Sequence, residues 1–285
     1  SFKSDNYRFI KLDISDKENL FKLFEREKFD YIISLAAQAG TRYSIENPDL
    51  YIKNNVLGFY NILESCRRHP VKHLLYASSS SVYGNNNKIP FSENDKTDNP
   101  VSLYAATKKS NELMAYTYSH LFKMYITGLR FFTVYGPWGR PDMAYYKFAD
   151  KILNDEEIEI YNFGKMKRDF TYIDDIIEGI LRMIYKKPDE YDNTESINEA
   201  RHKVLNVGNN HPENLEYLIE LIEKYLGKNA KKKYVQMQPG DVMDTYADIS
   251  SIKREVDFSP STSLSTGLLN FTLWLKEYKN NKKLL

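Results

Sequence analysis

Cysteine is almost missing from this chain. Of 285 residues only Cys66 is one, which excludes an intrachain disulfide and any zinc site built on clustered cysteines. It stands at helical spacing from Ile62 and Leu63 in "NILESCRRH" and reads as a small packing residue. Histidine is scarce as well. His69, His73, His120, His202 and His211 show no ligand spacing, so no metal is expected. No apolar run approaches the roughly 20 residues that span a bilayer, and no secretory leader is visible. These absences predict a soluble, cytoplasmic protein in a reducing compartment, with no membrane partner. An excess of one charge is lacking too: 40 Lys and Arg face 39 Asp and Glu, leaving +1. The basic runs Lys231–Lys233 and Lys282–Lys283 carry no interleaved aromatics and read as solvated ends, so no nucleic-acid partner is expected. The 12 glycines include neither Gly-x-x-Gly-x-x-Gly nor Gly-x-Gly-x-x-Gly. The nearest approach is Gly136 and Gly139 in "GPWG".

What is present is a chain able to build a core. Apolar residues make up 42%, enough for one large or two closely packed domains. The first half alternates. "YRFIKLDI" reads as a strand, and "SDKENLFKLFEREK" as a helix with Ser15 as N-cap and Glu18 completing a capping box. "YIISLAA" reads as a buried strand, "NVLGFYNILESCRRH" as a helix and "HLLYASSS" as a strand. "SLYAATKKSNELMAYTYSHLF" follows as a helix and "YITGLRFFTVYG" as a strand. Such alternation implies βαβ units and a doubly wound parallel sheet of α/β class. The second half offers the helices "DDIIEGILRMIYKK", "ENLEYLIELIEKYLG" and "LSTGLLNFTLWLKEY", the strand "KVLNVGN" and a polar surface loop, "KPDEYDNTESINEARH". Asp174 and Asp175 read as N-cap and first-turn acids of their helix. Ligands of open parallel sheets bind at the carboxyl ends of the strands. Three strands here end in small or hydroxyl residues, at Ala36-Ala37, Ser78–Ser81 and Thr133.

Tyr-x-x-x-Lys occurs four times, at Tyr7/Lys11, Tyr104/Lys108, Tyr161/Lys165 and Tyr278/Lys282. Spacing alone does not choose among them. At i and i+4 the two side chains share a helix face. A phenol titrates near pH 10. A neighbouring ammonium and a cationic ring favour its phenolate and make it a usable base near neutrality. A serine hydroxyl on the same substrate oxygen can relay the proton. Such a set suits removal of a proton from a sugar alcohol while hydride leaves its carbon.

Context singles out Tyr104/Lys108. "LAAQAG", "NNVLGFYNILE", "YASSSSVYG", "PVSLYAATKKSNE", "LRFFTVYGPWGRPDM", "GKMKRDFTYIDD" and "QPGDV" occur in this order. Together they resemble the extended short-chain dehydrogenase/reductases that modify nucleotide sugars, and more narrowly the UDP-glucuronate 4-epimerases. The resemblance implies a Rossmann-like domain over residues 1–135, to which 169–187 return, and a smaller, mostly α-helical UDP-sugar-binding domain over 136–285. It implies NAD as cofactor, a UDP-sugar as substrate and a homodimer through the helices Asn55–Arg67 and Leu103–Phe122. Tyr104 would take the sugar 4-OH proton, and Lys108 would bond the nicotinamide ribose. Ser79, 25 residues before Tyr104, would be the serine partner, with Ser80 and Ser81 as the adjacent choices. Asp13 and Ile14 match the pair beside the adenine. Leu35, Ala36 and Ala37 match the strand end under the cofactor. Asn55 matches an asparagine that braces the sheet, and Phe131 would line the nicotinamide pocket.

Three residue choices separate sister activities within the resemblance. Sugar dehydratases carry an Asp-Glu pair where Ser80 and Ser81 stand, because elimination needs an acid and a base. Decarboxylases carry a Glu at the position of Ser81. UDP-galactose epimerases carry an asparagine at Thr133 and lack Arg140. A guanidinium can hold a carboxylate through two parallel hydrogen bonds, so Thr133 and Arg140 are expected to hold a C6 carboxylate. Arg168 matches the arginine of the UDP diphosphate and Asp241 a residue near the uridine ribose, while Gln238 stands where relatives have an arginine.

The departure from the family lies at the start. The glycine turn that seats a pyrophosphate on a helix N-terminus and the acid of the adenosine ribose belong to a first βαβ unit. Roughly 50 to 60 residues of the usual domain are expected to be missing, leaving an unpaired sheet edge. Two classes of function stand open: a UDP-glucuronate 4-epimerase, and a non-catalytic protein that keeps the fold and the sugar-nucleotide pocket. An epimerase of a neutral UDP-hexose is a third.

Overall fold

The computed structural model describes residues 6–187, 200–237 and 243–282. Its strands are β1 (Tyr31–Ser34), β2 (His73–Ser79), β3 (Ile126–Phe131), β4 (Thr133–Tyr135), β5 (Glu157–Ile160), β6 (Lys167–Tyr172), β7 (His202–Val207), β8 (Pro212–Asn214) and β9 (Lys231–Tyr234). The helices are α1 (Lys17–Glu27), α2 (Tyr43–Glu46), α3 (Pro48–Tyr51), α4 (Gly58–Arg68), α5 (Leu103–Phe122), α6 (Ala144–Leu153), α7 (Ile173–Ile184), α8 (Leu215–Leu226), α9 (Ser250–Val256) and α10 (Leu264–Lys282).

The principal sheet runs β1-β2-β3-β7, every neighbouring pair parallel. This is the expected Rossmann-like α/β architecture. Strand β2 shows why both faces of such a sheet are covered. Leu74 and Tyr76 point into a cluster with Phe24 of α1, Ile62 and Leu63 of α4 and Ala115 of α5. Leu75, one residue between them, points into a second cluster with Ile176, Ile180 and Met183 of α7 and Ile252 of α9. The period of two thus delivers alternate side chains to opposite helical layers, and the strand reads as a continuous apolar run. A third cluster, rich in aromatics, joins Tyr135, Tyr145, Phe148, Phe170 and Phe271 to Ile219 and Ile222 of α8. It lies under α6, α8 and α10 beside the small sheets β4-β6-β8 and β5-β9.

Several local readings are corrected. Tyr7–Ile14 forms no strand. A strand needs a partner edge, and neither this segment nor the outer edge of β1 has one among the described residues. Phe9 is accordingly exposed, while Leu12 and Ile14 still pack on the α1–α4 cluster. The cap of α1 is Asp16, whose carboxylate accepts from Asn19 N at 3.2 Å. Ser15 instead donates its hydroxyl to Asp13 Oδ1 at 2.8 Å. "YITGLRFFTVYG" divides after Phe131 into β3 and β4, which belong to different sheets. The helix expected from Asn55 begins with a π-helical turn over Ile52–Leu57. Asp174 and Asp175 both lie in the first turn of α7, whose N-cap is Tyr172. Asp175 turns away to accept from Ser261 N and Thr262 N. Lys231–Lys233 is no chain end: as β9 it pairs with β5, and Lys232 lies 3.2 Å from Glu223, while Lys231 and Lys233 stay exposed. The polar stretch beginning at Lys187 falls outside the described residues from 188 to 199. Among the described residues no helix is long and apolar enough to cross a membrane.

Candidate active site

A cleft of about 1380 Å³ opens at the carboxyl ends of β1, β2 and β3. Registers Ser34↔Tyr76, Ser79↔Phe131 and Phe131↔Val207 bring the strand ends to one level. The helices that follow the strands carry the reactive side chains over this end.

Ser79 closes β2, and its oxygen accepts from Ser81 N at 3.2 Å, capping the tight turn Ser80–Tyr83. Its hydroxyl also donates to Ser81 Oγ at 3.0 Å. Helix α5 starts behind a Ser102 cap, where Ala105 N donates to Ser102 Oγ at 3.1 Å. That cap places Tyr104 in the first turn, at the positive end of the helix dipole, with Lys108 one turn further. The Ser79 side chain acts on the Tyr104 phenol and favours its ionised form. Of the three candidate serines, Ser79 is the one that acts on the phenol; all three line the cleft. Lys108 is buried, and its ammonium donates to Ala77 O at 2.8 Å. Burial lowers that ammonium to about 8.

The sequence predicts a phenol lowered by its lysine neighbour, and the protein's own groups do the opposite. Burial raises Tyr104, and this outweighs the lowering by Ser79 and by the positive charge of Arg140. Lys108 is spent on the Ala77 carbonyl rather than on the phenol. Tyr51 packs edge-on against Tyr104 with ring centroids 6.1 Å apart. Its own hydroxyl donates to Gly40 O at 2.6 Å.

The loop after β1 is held by Asn55 from within the π-helical turn. Gln38 N donates to Asn55 Oδ1 at 2.7 Å, and Asn55 Nδ2 donates to Gln38 O at 2.9 Å and to Thr107 Oγ1 at 3.0 Å. Asn111 Nδ2 donates to Asn55 O at 2.7 Å. A π turn widens the helix at the point where one side chain must serve both the loop and α5. Leu35 and Ala37 line the cleft, with exposed Ala36 between them. Phe131 and Thr133 line it from β3 and β4.

Other expected residues stand differently. Asp13 and Ile14 lie outside the residues lining the cleft. Asp13 is tied to Ser15, whose backbone and side-chain hydrogen bonds hold its carboxyl below the usual value. Ile14 packs on Gly58, where an added Cβ would come within 2.7 Å of it. Arg140 lines the cleft, but its Nε and Nη2 already donate to Asp142 Oδ1 and Oδ2 at 2.9 and 2.7 Å. Arg168 reaches the cleft from β6 while donating to Met243 O at 2.7 Å. Asp241 and Gln238 lie outside the described residues. Among the described residues no three His, Cys, Asp or Glu side chains are grouped to hold a metal.

Sequence reasoning passed over Tyr51, Asp142 and a buried network behind the site. Within it Arg130 Nε and Nη2 donate to Glu112 Oε1 and Oε2 at 2.8 and 2.9 Å, and Ser78 Oγ donates to Glu112 Oε1 at 2.6 Å. Only Asp142 had a local signal, two residues from Arg140. The network joins residues 18 and 34 positions apart.

The residues present suit the nicotinamide end of a dinucleotide. Ala37, Ala77 and Ser79 leave the strand ends without bulk. A buried ammonium stands beside them with one of its three donors committed to Ala77.

A profile of the NAD-dependent epimerase/dehydratase family matches residues 1–208. The chain belongs to that family. This NAD-dependent epimerase/dehydratase is 51% identical over 285 residues to protein CapI of Staphylococcus aureus, covering 98% of this chain and 85% of that protein. It is 48% identical over 278 residues to UDP-glucuronate 4-epimerase 4 of Arabidopsis thaliana, covering 95% of this chain and 64% of that protein. Its fold matches a crystal structure of UDP-glucuronic acid 4-epimerase from Bacillus cereus, in complex with UDP-glucuronic acid and NAD. There the TM-score is 0.86 and the identity 33%, over 97% of this chain and 83% of that one. As an epimerase/dehydratase the protein is an NAD-dependent enzyme. Ser80 and Ser81 line the same cleft as Tyr104.

Proposed function

We propose that the protein catalyses NAD-dependent epimerisation at C4 of a UDP-hexuronate, converting UDP-glucuronate to UDP-galacturonate through a 4-keto sugar. The observation that carries this reading is one cleft holding Tyr104 beside Ser79, Lys108 one turn away and Arg140 close enough to bias the phenol. In this reading residues 1–135 with 169–187 form the cofactor domain, and 136–285 the sugar-nucleotide domain.

Tyr104 takes the proton of the 4-OH while Ser79 holds the same oxygen in line. Bound NAD supplies the acceptor, and later the donor, of the C4 hydride. Lys108, released from Ala77 O onto a ribose hydroxyl, brings its charge toward the phenol and reverses part of the burial that raises it. The 4-keto sugar turns over so that the opposite face of C4 meets the returning hydride, and Tyr104 gives its proton back to the 4-oxygen. Thr133 and Arg140 hold the C6 carboxylate. Oxidation at C4 makes this sugar a β-keto acid, so a clamped carboxylate also suppresses loss of CO2. Leu35, Ala36, Ala37, Asn55 and Phe131 support the cofactor, Asp13 and Ile14 its adenine end, and Arg168 with Asp241 the UDP. A homodimer through α4 and α5 belongs to the same reading, supported by the exposed Leu113, Tyr116 and Leu121 on α5.

One observation favours a second reading, a neutral UDP-hexose: Arg140 already holds a carboxylate, that of Asp142. The test is direct. The full-length protein is incubated with NAD and either UDP-glucuronate or UDP-glucose, and the sugars are resolved by NMR. Formation of UDP-galacturonate alone supports the uronate reading. UDP-galactose as the faster product overturns it, and neither product, with NAD bound, returns the protein to a non-catalytic role.

A further inference from the structure

The position of Arg140 carries a consequence for how a uronate enters. A guanidinium offers two edges to a carboxylate, Nε/Nη2 and Nη1/Nη2, and both use Nη2. In this structure Asp142 occupies the first edge completely, at 2.9 and 2.7 Å. The second hydrogen on Nη2 is directed to Met143 Sδ at 3.7 Å. The first edge is therefore closed to a second carboxylate, and the second carries only a weak thioether acceptor. Both partners line the cleft. The pair faces its working end: Arg140 acts on the Tyr104 phenol, and both Arg140 and Asp142 act on Tyr51. A Cβ added at Gly40 would stand 3.8 Å from Asp142 Oδ2, which puts the acid over the loop after β1.

We propose that Asp142 is a carboxylate latch on Arg140, displaced by the C6 carboxylate of the sugar nucleotide and so a specificity-determining residue. This rests on the uronate reading above. The exchange replaces one two-pronged pair with another, so Arg140 is never left unpaired and Asp142 moves to water. The pair is half exposed, with side chains 45% and 53% accessible, so it is weak enough to be exchanged. A neutral hexose has no group able to displace Asp142 and leaves the pair closed. The latch keeps the fork extended across the cleft, and it lowers uronate affinity by the strength of the pair it must break.

Isothermal titration of the NAD-loaded full-length protein with UDP-glucuronate and with UDP-glucose tests this. In Asp142→Asn the competing charge is gone, and UDP-glucuronate binds up to about fivefold more tightly, the upper end for an exposed ion pair. UDP-glucose affinity stays where it was, so the ratio between the two sugars moves. Asp142→Glu, which keeps a carboxylate, holds that ratio within about twofold of the wild type. Weaker or unchanged UDP-glucuronate binding in Asp142→Asn, with UDP-glucose binding intact, overturns the latch. So does an equal change for both sugars, which marks a general structural role. Wild-type protein that binds UDP-glucose but not UDP-glucuronate overturns the uronate reading itself, and the latch with it.

Discussion

Replacing Glu112 by glutamine should unfold the site from behind. Glu112 and Arg130 are each 4% exposed. The carboxylate accepts both prongs of the Arg130 fork, at 2.8 and 2.9 Å, and the Ser78 hydroxyl at 2.6 Å. The glutamine has the same shape but only one acceptor oxygen. Its amide nitrogen would face either Arg130 or Ser78, donor against donor, and the buried guanidinium would lose its counter-charge. Breaking one partner of a buried pair costs about 3–5 kcal/mol, a large part of the roughly 5–15 kcal/mol that holds a domain together. The assay is equilibrium unfolding in urea, followed by far-UV circular dichroism. The same experiment carries an internal control. Glu112→Leu with Arg130→Met removes both charges, so most of the loss should return, although Ser78 then lacks its acceptor. The pH dependence has a definite sign. Burial opposes ionisation of Glu112, but the Arg130 fork, its charge and Ser78 outweigh that and hold the carboxyl below its ordinary value. Its contribution is thus present above the unfolded value, about 4.3, and is lost as pH falls through the lower folded one. The glutamine variant should lack that acid-side loss. A single variant within about 1 kcal/mol of wild type, or a double variant no more stable than the single, would refute the reasoning. Because Ser78 precedes Ser79 and Glu112 lies one turn beyond Lys108, turnover should fall together with stability.

Tyr104→Phe should lower kcat by about 10²- to 10⁴-fold, the range of a lost general base, while titrated UDP-glucuronate affinity stays close to wild type; an unaffected kcat removes Tyr104 from the proton path. Lys108→Met should change the alkaline stability profile. Burial lowers the folded ammonium to about 8, so between that value and about 10.4 the unfolded chain binds the extra proton and wild-type stability rises with pH. The methionine variant should be flat there and more stable below pH 8, by on the order of 3 kcal/mol before loss of the Ala77 hydrogen bond; unfolding curves from pH 7 to 11 decide. Arg140→Ala should release the sugar carboxylate, and a UDP-pentose should appear beside the epimer in NMR product analysis; unchanged product purity counts against the clamp. Leu113→Asp, at a side chain 59% exposed on α5, should shift sedimentation toward a monomer, and an unaltered sedimentation coefficient moves the contact elsewhere.

The element order of the first half was legible from period and length, because β2, α5 and β3 carry patterns dictated by what each face must bury. The failures were of two kinds. Tyr7–Ile14 alternates like a strand, but a strand exists only against another. The Lys231–Lys233 run keeps Lys231 and Lys233 exposed, but β9 pairs with β5, 74 positions away, and Lys232 meets carboxylates of α8 that lie 9 and 16 residues before it.

For the site the division is sharper. Sequence by itself determined that Tyr104 and Lys108 share a helix face, because helical geometry and the Ser102 cap are local. It also brought four consecutive serines to the end of one strand. Tertiary structure alone decided that Ser79 is the serine acting on the phenol, since this depends on how α5 lies across β2. It alone decided that burial raises Tyr104 and lowers Lys108, because desolvation is a property of everything packed around a group. It alone showed Arg140 paired with Asp142, since the turn of the loop decides which acid the fork reaches. Helix period and capping act over one turn of chain, whereas burial and charge pairing are set by the whole fold.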